Sequence, residues 1–112
     1  MDVSRAIPMA SGAEFEDWLV EHGSTERDVL VAIFKKSTGL QTVDLEGLQE
    51  AALACGWVDT QIQRIDDLRY AIRFVPRRPD SSWSATNREM ARRLLEQGRI
   101  RATGLALLPP DL

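Results

Sequence analysis

The sequence contains one run, residues 29–34, in which every position is apolar and which lies between charged residues. Successive side chains of a β-strand point to opposite faces of the sheet, so a strand made from this run needs cover on both faces. Three of its six residues are β-branched, which favours a strand over a helical turn. The run therefore predicts a central buried strand around which the other elements pack.

Three segments with helical features accompany this strand. In residues 13–21 the apolar side chains recur at spacings of three and four. Asp44 is placed to cap a second helix, and Gly56 lies where a left-handed residue would end it. Ser84 is the predicted cap of a third helix that extends to about Gln97.

Two extended runs between the second and third helices flank an acidic turn at Asp66 and Asp67. In the second run, alternate apolar residues face one way, and Arg69, Arg73 and Arg77 face the other way. The resulting order, α-β-α-β-β-α, predicts a small single α+β domain with a three-stranded, mainly antiparallel sheet covered by helices.

The two ends of the chain are expected to contribute little regular structure. Residues 1–12 lack periodicity and are interpreted as a flexible lead-in, which leaves residues 13–112 as one domain. The segment from Gly104 to Leu112 is apolar and contains two adjacent prolines, so we expect it to lie along the surface without helix or strand.

Composition argues against several functional classes. The 112 residues contain no apolar run long enough to cross a bilayer and no signal-peptide pattern, so we expect a cytoplasmic protein without membrane insertion. The net charge of −3 does not favour nucleic-acid binding. One histidine, one cysteine and the lack of a glycine-rich phosphate motif predict neither a metal site nor a cofactor.

Residues 76–87 concentrate two prolines, two adjacent arginines, three serines and a tryptophan. Proline restricts the backbone, so Arg77 and Arg78 should leave the preceding strand in defined directions. Paired guanidinium groups suit phosphate or carboxylate, and the helix start at Ser84 favours the same charge. The segment predicts an anion-binding corner. The alternative is a solvated sheet face whose arginines pair with acidic residues of the first half of the chain.

Trp57, Trp83 and Asp59 each allow two interpretations. The tryptophans are either core residues or aromatic walls of a ligand pocket that also stack on arginines. Asp59 is either the ion-pair partner of an arginine or a general acid–base. Because no second acid and no histidine is fixed near Asp59 by the sequence, an enzyme is the less favoured interpretation.

Several blocks of sequence, in order, match the pattern of one known family. They include Lys-Lys-Ser-Thr-Gly at residues 35–39, Ala-Leu-Ala-Cys-Gly-Trp-Val-Asp at residues 52–59, and the Pro-Arg-Arg and Ser-Ser-Trp-Ser elements of residues 76–87. On these blocks the chain resembles the YdeI/OmpD-associated family, also called bacteriocin-protection proteins. It departs from the family at Thr60, where glycine is usual, and at Ile100, where methionine is common.

The resemblance implies a small bacterial stress-protection protein, linked to resistance against bacteriocins and antimicrobial peptides, with no established catalytic activity. Its motif positions coincide with those singled out above, so the ligand, a small anion or a group on a protein partner, is expected at one shared site. The expected ligand-binding residues are Lys36, Trp57, Asp59, Arg77, Arg78, Ser81, Trp83, Ser84 and Asn87. Two alternatives remain open: a protein–protein interaction module whose motif corner is structural, and a small enzyme that uses Asp59.

Overall fold

The apolar run Val29–Phe34 forms an interior strand of the sheet, as its composition predicts. The structure, a computed structural model, describes residues 1–40 and 43–112. Short 3-10 turns lie at Val3–Arg5 and Lys36–Thr38. The strands and longer helices, in chain order, are β1 (Ile7–Pro8), α1 (Gly12–His22), β2 (Val29–Phe34), α2 (Leu45–Ala54), β3 (Trp57–Arg64), β4 (Arg69–Pro76), α3 (Ala85–Glu96) and α4 (Ala102–Leu105).

The α+β class is confirmed, but the prediction of a three-stranded, mainly antiparallel sheet is wrong. The sheet has four strands in the order β1-β2-β4-β3. It is mixed, because β1 runs parallel to β2 whereas the other two pairings are antiparallel. The additional strand lies inside the predicted lead-in. Two residues, one of them a proline without a backbone donor, produce no alternating pattern, yet they are tolerated at a sheet edge.

The predicted hairpin of β3 and β4 forms around Asp66 and Asp67. The Asp66 carboxylate accepts hydrogen bonds from the backbone N–H groups of Leu68 (2.9 Å) and Arg69 (2.8 Å). Aspartate side chains stabilise turns in this way because they replace a missing backbone acceptor. The register between β3 and β4 shifts between Asp59 and Gln61.

Helices α1 and α2 pack on the sheet face that carries Ile72 and Phe74, which are both fully buried. Phe15 of α1 lies against Phe74, with ring centroids 4.8 Å apart in a tilted arrangement that aromatic pairs favour. The cluster that joins these helices to the sheet is Met9, Phe15, Leu19, Val29, Val31, Ile33, Val43, Leu48, Ala51, Ala52, Cys55, Trp57, Ile72 and Phe74.

The end of α2 is buried on all sides. Residues 51–57 are buried without exception. Ala51 and Ala52 belong to the cluster against the sheet, whereas Leu53 belongs to a second cluster with α3 and Ile100. Helix α2 thus lies between the sheet with α1 on one side and α3 on the other. Its alanines allow close approach from several directions.

Gly56 ends α2 in the left-handed conformation that the sequence predicts, with φ at +82°. A Cβ atom at this position would lie 2.8 Å from the carbonyl oxygen of Thr103 and 3.0 Å from Cδ1 of Leu107. The glycine is therefore required both by the backbone conformation and by the close approach of the C-terminal segment.

The other helix boundaries follow local signals. The side chains of Asp44 and Ser84 cap α2 and α3, as predicted, by accepting from backbone N–H groups at 2.8 and 3.1 Å. The expectation of an irregular tail is wrong at its start, since Gly104 lies inside α4. Leu108 and Leu112 pack against the second cluster.

Within residues 1–40 and 43–112, no helix has the length and apolar composition needed to cross a membrane.

Substitution can separate the two reasons for a glycine at position 56, the left-handed backbone and the close approach of the C-terminal segment. Gly56→Ala should lower the free energy of unfolding by about 2–5 kcal/mol, since it combines left-handed strain with overpacking. Gly98→Ala is the matched control: its φ is +66°, but apart from its chain neighbours no described residue has an atom within 4 Å of the added Cβ, so only about 1–2 kcal/mol should be lost. Urea denaturation measures both. Equal losses would contradict the packing role of Gly56.

Candidate functional site

Arg77 lies where the end of α2 meets the end of β4. Trp57, the first residue of β3, pairs with Pro76, the last residue of β4. The backbone N–H of Arg77 then donates to the carbonyl of Gly56 at 2.8 Å. The Gly-Trp-Val-Asp block and the Pro-Arg-Arg block, which are separate in sequence, are therefore adjacent at this end of the sheet.

The guanidinium of Arg77 folds back over its own loop. Its Cζ lies 3.8 Å from the centroid of the Trp83 ring, a cation–π arrangement. Its Nη1 donates to the carbonyl of Ser82 at 3.3 Å and, at the limit of a hydrogen bond, to the hydroxyl of Ser81 at 3.5 Å. We call the group of Arg77, Arg78, Ser81, Ser82 and Trp83 the Arg77 corner.

Arg77 is the one charged residue that is buried in the described part of the chain, with 6% of its surface exposed. Among those residues no carboxylate lies within 4 Å of its guanidinium. Burial lowers the pKa of Arg77, and the charge of Asp59 opposes this effect without cancelling it. The positive charge is therefore desolvated and incompletely compensated.

Among the described residues, Nε and Nη2 of Arg77 have no hydrogen-bond partner. The hydrogen bonds of its side chain within the described residues all involve Nη1. No fully buried side-chain nitrogen or oxygen in the same residues lacks a partner, so Nε and Nη2 of Arg77 retain access to solvent. The arginine is held through Nη1, and Nε and Nη2 are left to donate in a forked contact with an anion.

Asp59 lies on β3, opposite Phe74, and is half-buried. Nε2 of Gln49, on α2, is 3.4 Å from both carboxylate oxygens, which is long for a hydrogen bond. Asp59 influences Arg77 through its charge without forming an ion pair within 4 Å. It therefore serves as a partial counter-ion to the corner.

The two tryptophans belong to different parts of the molecule. Trp57 is 4% exposed and is part of the core cluster against the sheet. Trp83 is half-buried and packs against the second cluster, and the guanidinium of Arg77 stacks on its ring. Trp57 is therefore mainly a core residue, and the cation–π interpretation applies to Trp83.

The remaining predicted site residues are distributed more widely. Arg78 is exposed. The hydroxyl of Ser84 caps α3 by accepting from the backbone N–H of Asn87 at 3.1 Å. Lys36 follows β2 at the sheet end that carries Arg69, so the length of β4, roughly 20 Å, separates it from the corner. The structure does not bring Lys36 to the other residues.

Arg69 and Arg73 both form ion pairs on the sheet, but of these two it is Arg73 that pairs with an acidic residue of the first half of the chain, as the solvated-face interpretation states. Arg69 contacts the carboxylate of Asp66 at 3.0 Å. The carboxylate of Asp28 pairs with two arginines: its Oδ2 lies 3.1 Å from Nε of Arg73, and its Oδ1 lies 2.6 Å from Nη2 of Arg5. Both arginines are thus engaged, and the predicted basic row does not extend the Arg77 corner.

Sequence reasoning missed a groove of about 690 Å³ between the end of α1 and α4. It was missed because its walls come from separate segments with no common periodicity. The one local signal is the pair of small residues Ala102 and Ala106, one helical turn apart. We call it the α1/α4 groove; the residues that line it are Leu19, Val20, Gly23, Ser24, Cys55, Gly56, Trp57, Pro76, Arg101, Ala102, Thr103, Ala106 and Leu107.

Comparison with known proteins identifies one family. Its sequence model, described as a domain of unknown function (DUF8412), matches residues 7–107. No curated protein and no solved structure matches the chain. The match neither supports nor contradicts the resemblance to the YdeI/OmpD-associated family, which stays a prediction.

The shared carboxylate of Asp28 makes the stability of the protein depend on pH. Hydrogen bonds from Arg5 and then Arg73 hold the pKa of Asp28 below its usual range. Since the folded pKa is depressed, the stabilisation is present above the unfolded pKa of about 3.9 and is lost as the pH falls through the folded value. Asp28→Asn should therefore lower the free energy of unfolding by about 1–3 kcal/mol at pH 7.

The difference in the free energy of unfolding between the wild type and Asp28→Asn should shrink as the pH falls below about 4. Denaturant titrations of both proteins from pH 7 to pH 3 measure it. Asp67→Asn is the control, because its salt bridge to Arg64 is exposed and should matter little. A difference for Asp28→Asn that stays constant over this range would contradict the ion-pair account.

Proposed function

We propose that this chain, which belongs to the DUF8412 family, is a non-catalytic binding protein that holds a phosphate or carboxylate group at the Arg77 corner. The observation that carries the proposal is the buried guanidinium of Arg77, which has no carboxylate within 4 Å in the described residues. A buried charge without a close counter-ion is unfavourable, and an anionic ligand would compensate it.

The geometry of the corner supports an anion in preference to other ligands. Trp83 and the carbonyl of Ser82 fix the guanidinium plane, so little conformational entropy is lost when a ligand binds. Nε and Nη2 keep solvent access and can donate. Arg78, the next residue in the chain, is exposed and adds positive charge. Planar, forked donors of this kind suit the paired oxygens of phosphate and carboxylate groups.

Stress protection and catalysis by Asp59 are two further roles that the sequence suggests. The stress-protection role follows from the resemblance to the YdeI/OmpD-associated family alone. Catalysis by Asp59 finds no support in its surroundings, where the side chain within hydrogen-bonding distance is the amide of Gln49. The proposal therefore contains no chemical step.

Anion binding should raise the melting temperature. A ligand at ten times its dissociation constant stabilises the folded state by about 1.4 kcal/mol, which corresponds to roughly 5 °C for a domain of this size. Inorganic phosphate, a phosphosugar and a dicarboxylate are compared with chloride at constant ionic strength, since unspecific screening depends on salt. At least one of the three should produce a saturable shift in the wild type.

The variants separate a specific site from overall charge. Arg77→Met should abolish the saturable shift and Arg78→Met should reduce it. Arg64→Met, which removes the same charge from an exposed position on β3, should leave it unchanged. Saturable shifts of equal size in the wild type and Arg77→Met would contradict the proposal, as would the absence of a saturable shift in the wild type with all three ligands.

A further inference from the structure

The α1/α4 groove has the dimensions of a small-molecule site. Its volume of about 690 Å³ lies within the range of roughly 300–1,000 Å³ that is typical of ligand pockets. One wall is the last turn of α1, with Leu19 and Val20, and the opposite wall is formed by Ala102 of α4 and by Ala106, which follows that helix. Such sites combine a mainly apolar lining with a few placed polar groups.

The indole N–H of Trp57 is one of the polar groups of this groove, beside those of Ser24, Arg101 and Thr103. The side chain is 4% exposed, and in the described residues its Nε1 donates no hydrogen bond. No fully buried side-chain nitrogen of these residues lacks a partner, so Nε1 must reach solvent. It lies 3.3 Å from the position that a Cβ on Gly23 would occupy, and both residues line the groove. The small exposed part of Trp57 therefore faces the groove.

The charges around the groove favour a neutral ligand. Arg101, at its edge, is already bound by Glu16, whose Oε2 lies 2.8 Å from Nε and 2.7 Å from Nη2. Burial raises the pKa of the Cys55 thiol to about 11, so the sulfur in the groove wall is uncharged at neutral pH. Among the described residues that line the groove, Arg101 is the one cation, and its guanidinium is already paired with Glu16. An N–H donor in an apolar wall instead suits a carbonyl oxygen.

We propose that the α1/α4 groove binds a small neutral apolar molecule whose carbonyl oxygen accepts a hydrogen bond from Nε1–H of Trp57. The ligand class is a ketone, ester or amide with an aliphatic or aromatic body. This site does not depend on the Arg77 corner: Pro76 borders the groove, but Arg77 and Trp83 do not line it.

A matched pair of probes tests both halves of the inference. Acetophenone carries a carbonyl next to an aromatic ring, and ethylbenzene has a similar shape without the acceptor. In nitrogen–proton NMR spectra, acetophenone should move the indole N–H signal of Trp57 downfield in a saturable manner. Ethylbenzene should perturb the groove residues without that downfield shift. The signal is assigned with Trp57→Phe, which distinguishes it from those of Trp18 and Trp83.

Filling the groove provides the structural control. Ala106 is exposed and lines the groove, so Ala106→Met should fold and should weaken acetophenone binding at least about tenfold. Ala13→Met, at an exposed position on α1 outside the groove, should leave the affinity unchanged. Arg77→Met should also leave it unchanged, which separates this test from that of the anion site.

Three outcomes would overturn the inference. One is the absence of a saturable shift of the Trp57 indole with acetophenone. The second is equal affinity in the wild type and Ala106→Met, which would place the probe outside the groove. The third is an equal downfield shift with ethylbenzene, which would exclude the hydrogen bond to the carbonyl.

Discussion

The buried end of α2 is the feature on which the rest of the structure depends. Residues 51–57 are all buried, so every backbone polar group there needs a partner. Two of these partners come from distant segments: Arg77 donates to the carbonyl of Gly56 at 2.8 Å, and Arg101 donates to that of Ala54 at 2.9 Å. The exit of β4 and the start of α4 are thus fixed to the same helix end.

Both candidate sites follow from this junction. The bond to Gly56 sets where the chain leaves the sheet, and the loop that follows turns the guanidinium of Arg77 onto Trp83. The bond to Ala54 brings α4 beside α1 and leaves the groove between them. One site is charged and the other is apolar because the same backbone end faces an arginine-rich loop on one side and small apolar helix residues on the other. Packing at the junction therefore fixes where each of the two sites lies.

The helix ends and the turn between β3 and β4 were predictable from the sequence because they depend on local chemistry. The caps at Asp44 and Ser84, the left-handed Gly56 and the turn at Asp66 each depend on neighbouring residues, so short patterns identify them. It was harder to predict which distant segments of the chain lie next to one another. The two-residue β1 carries no periodic signal. Lys36 was grouped with Arg77 because motifs give no information on which end of a strand a residue occupies. The groove was missed because four segments that are far apart in sequence form its walls.

Native-state hydrogen exchange tests the central role of the junction most directly. The account predicts that the amide protons of Arg77 and Arg101 exchange only when the whole protein unfolds, because their acceptors lie in the buried end of α2. Their exchange free energies should equal the free energy of global unfolding, whereas the amide of Gly39, in a surface 3-10 turn, should exchange by local opening. Exchange of Arg77 or Arg101 through a local opening, at a free energy well below the global value, would contradict the account.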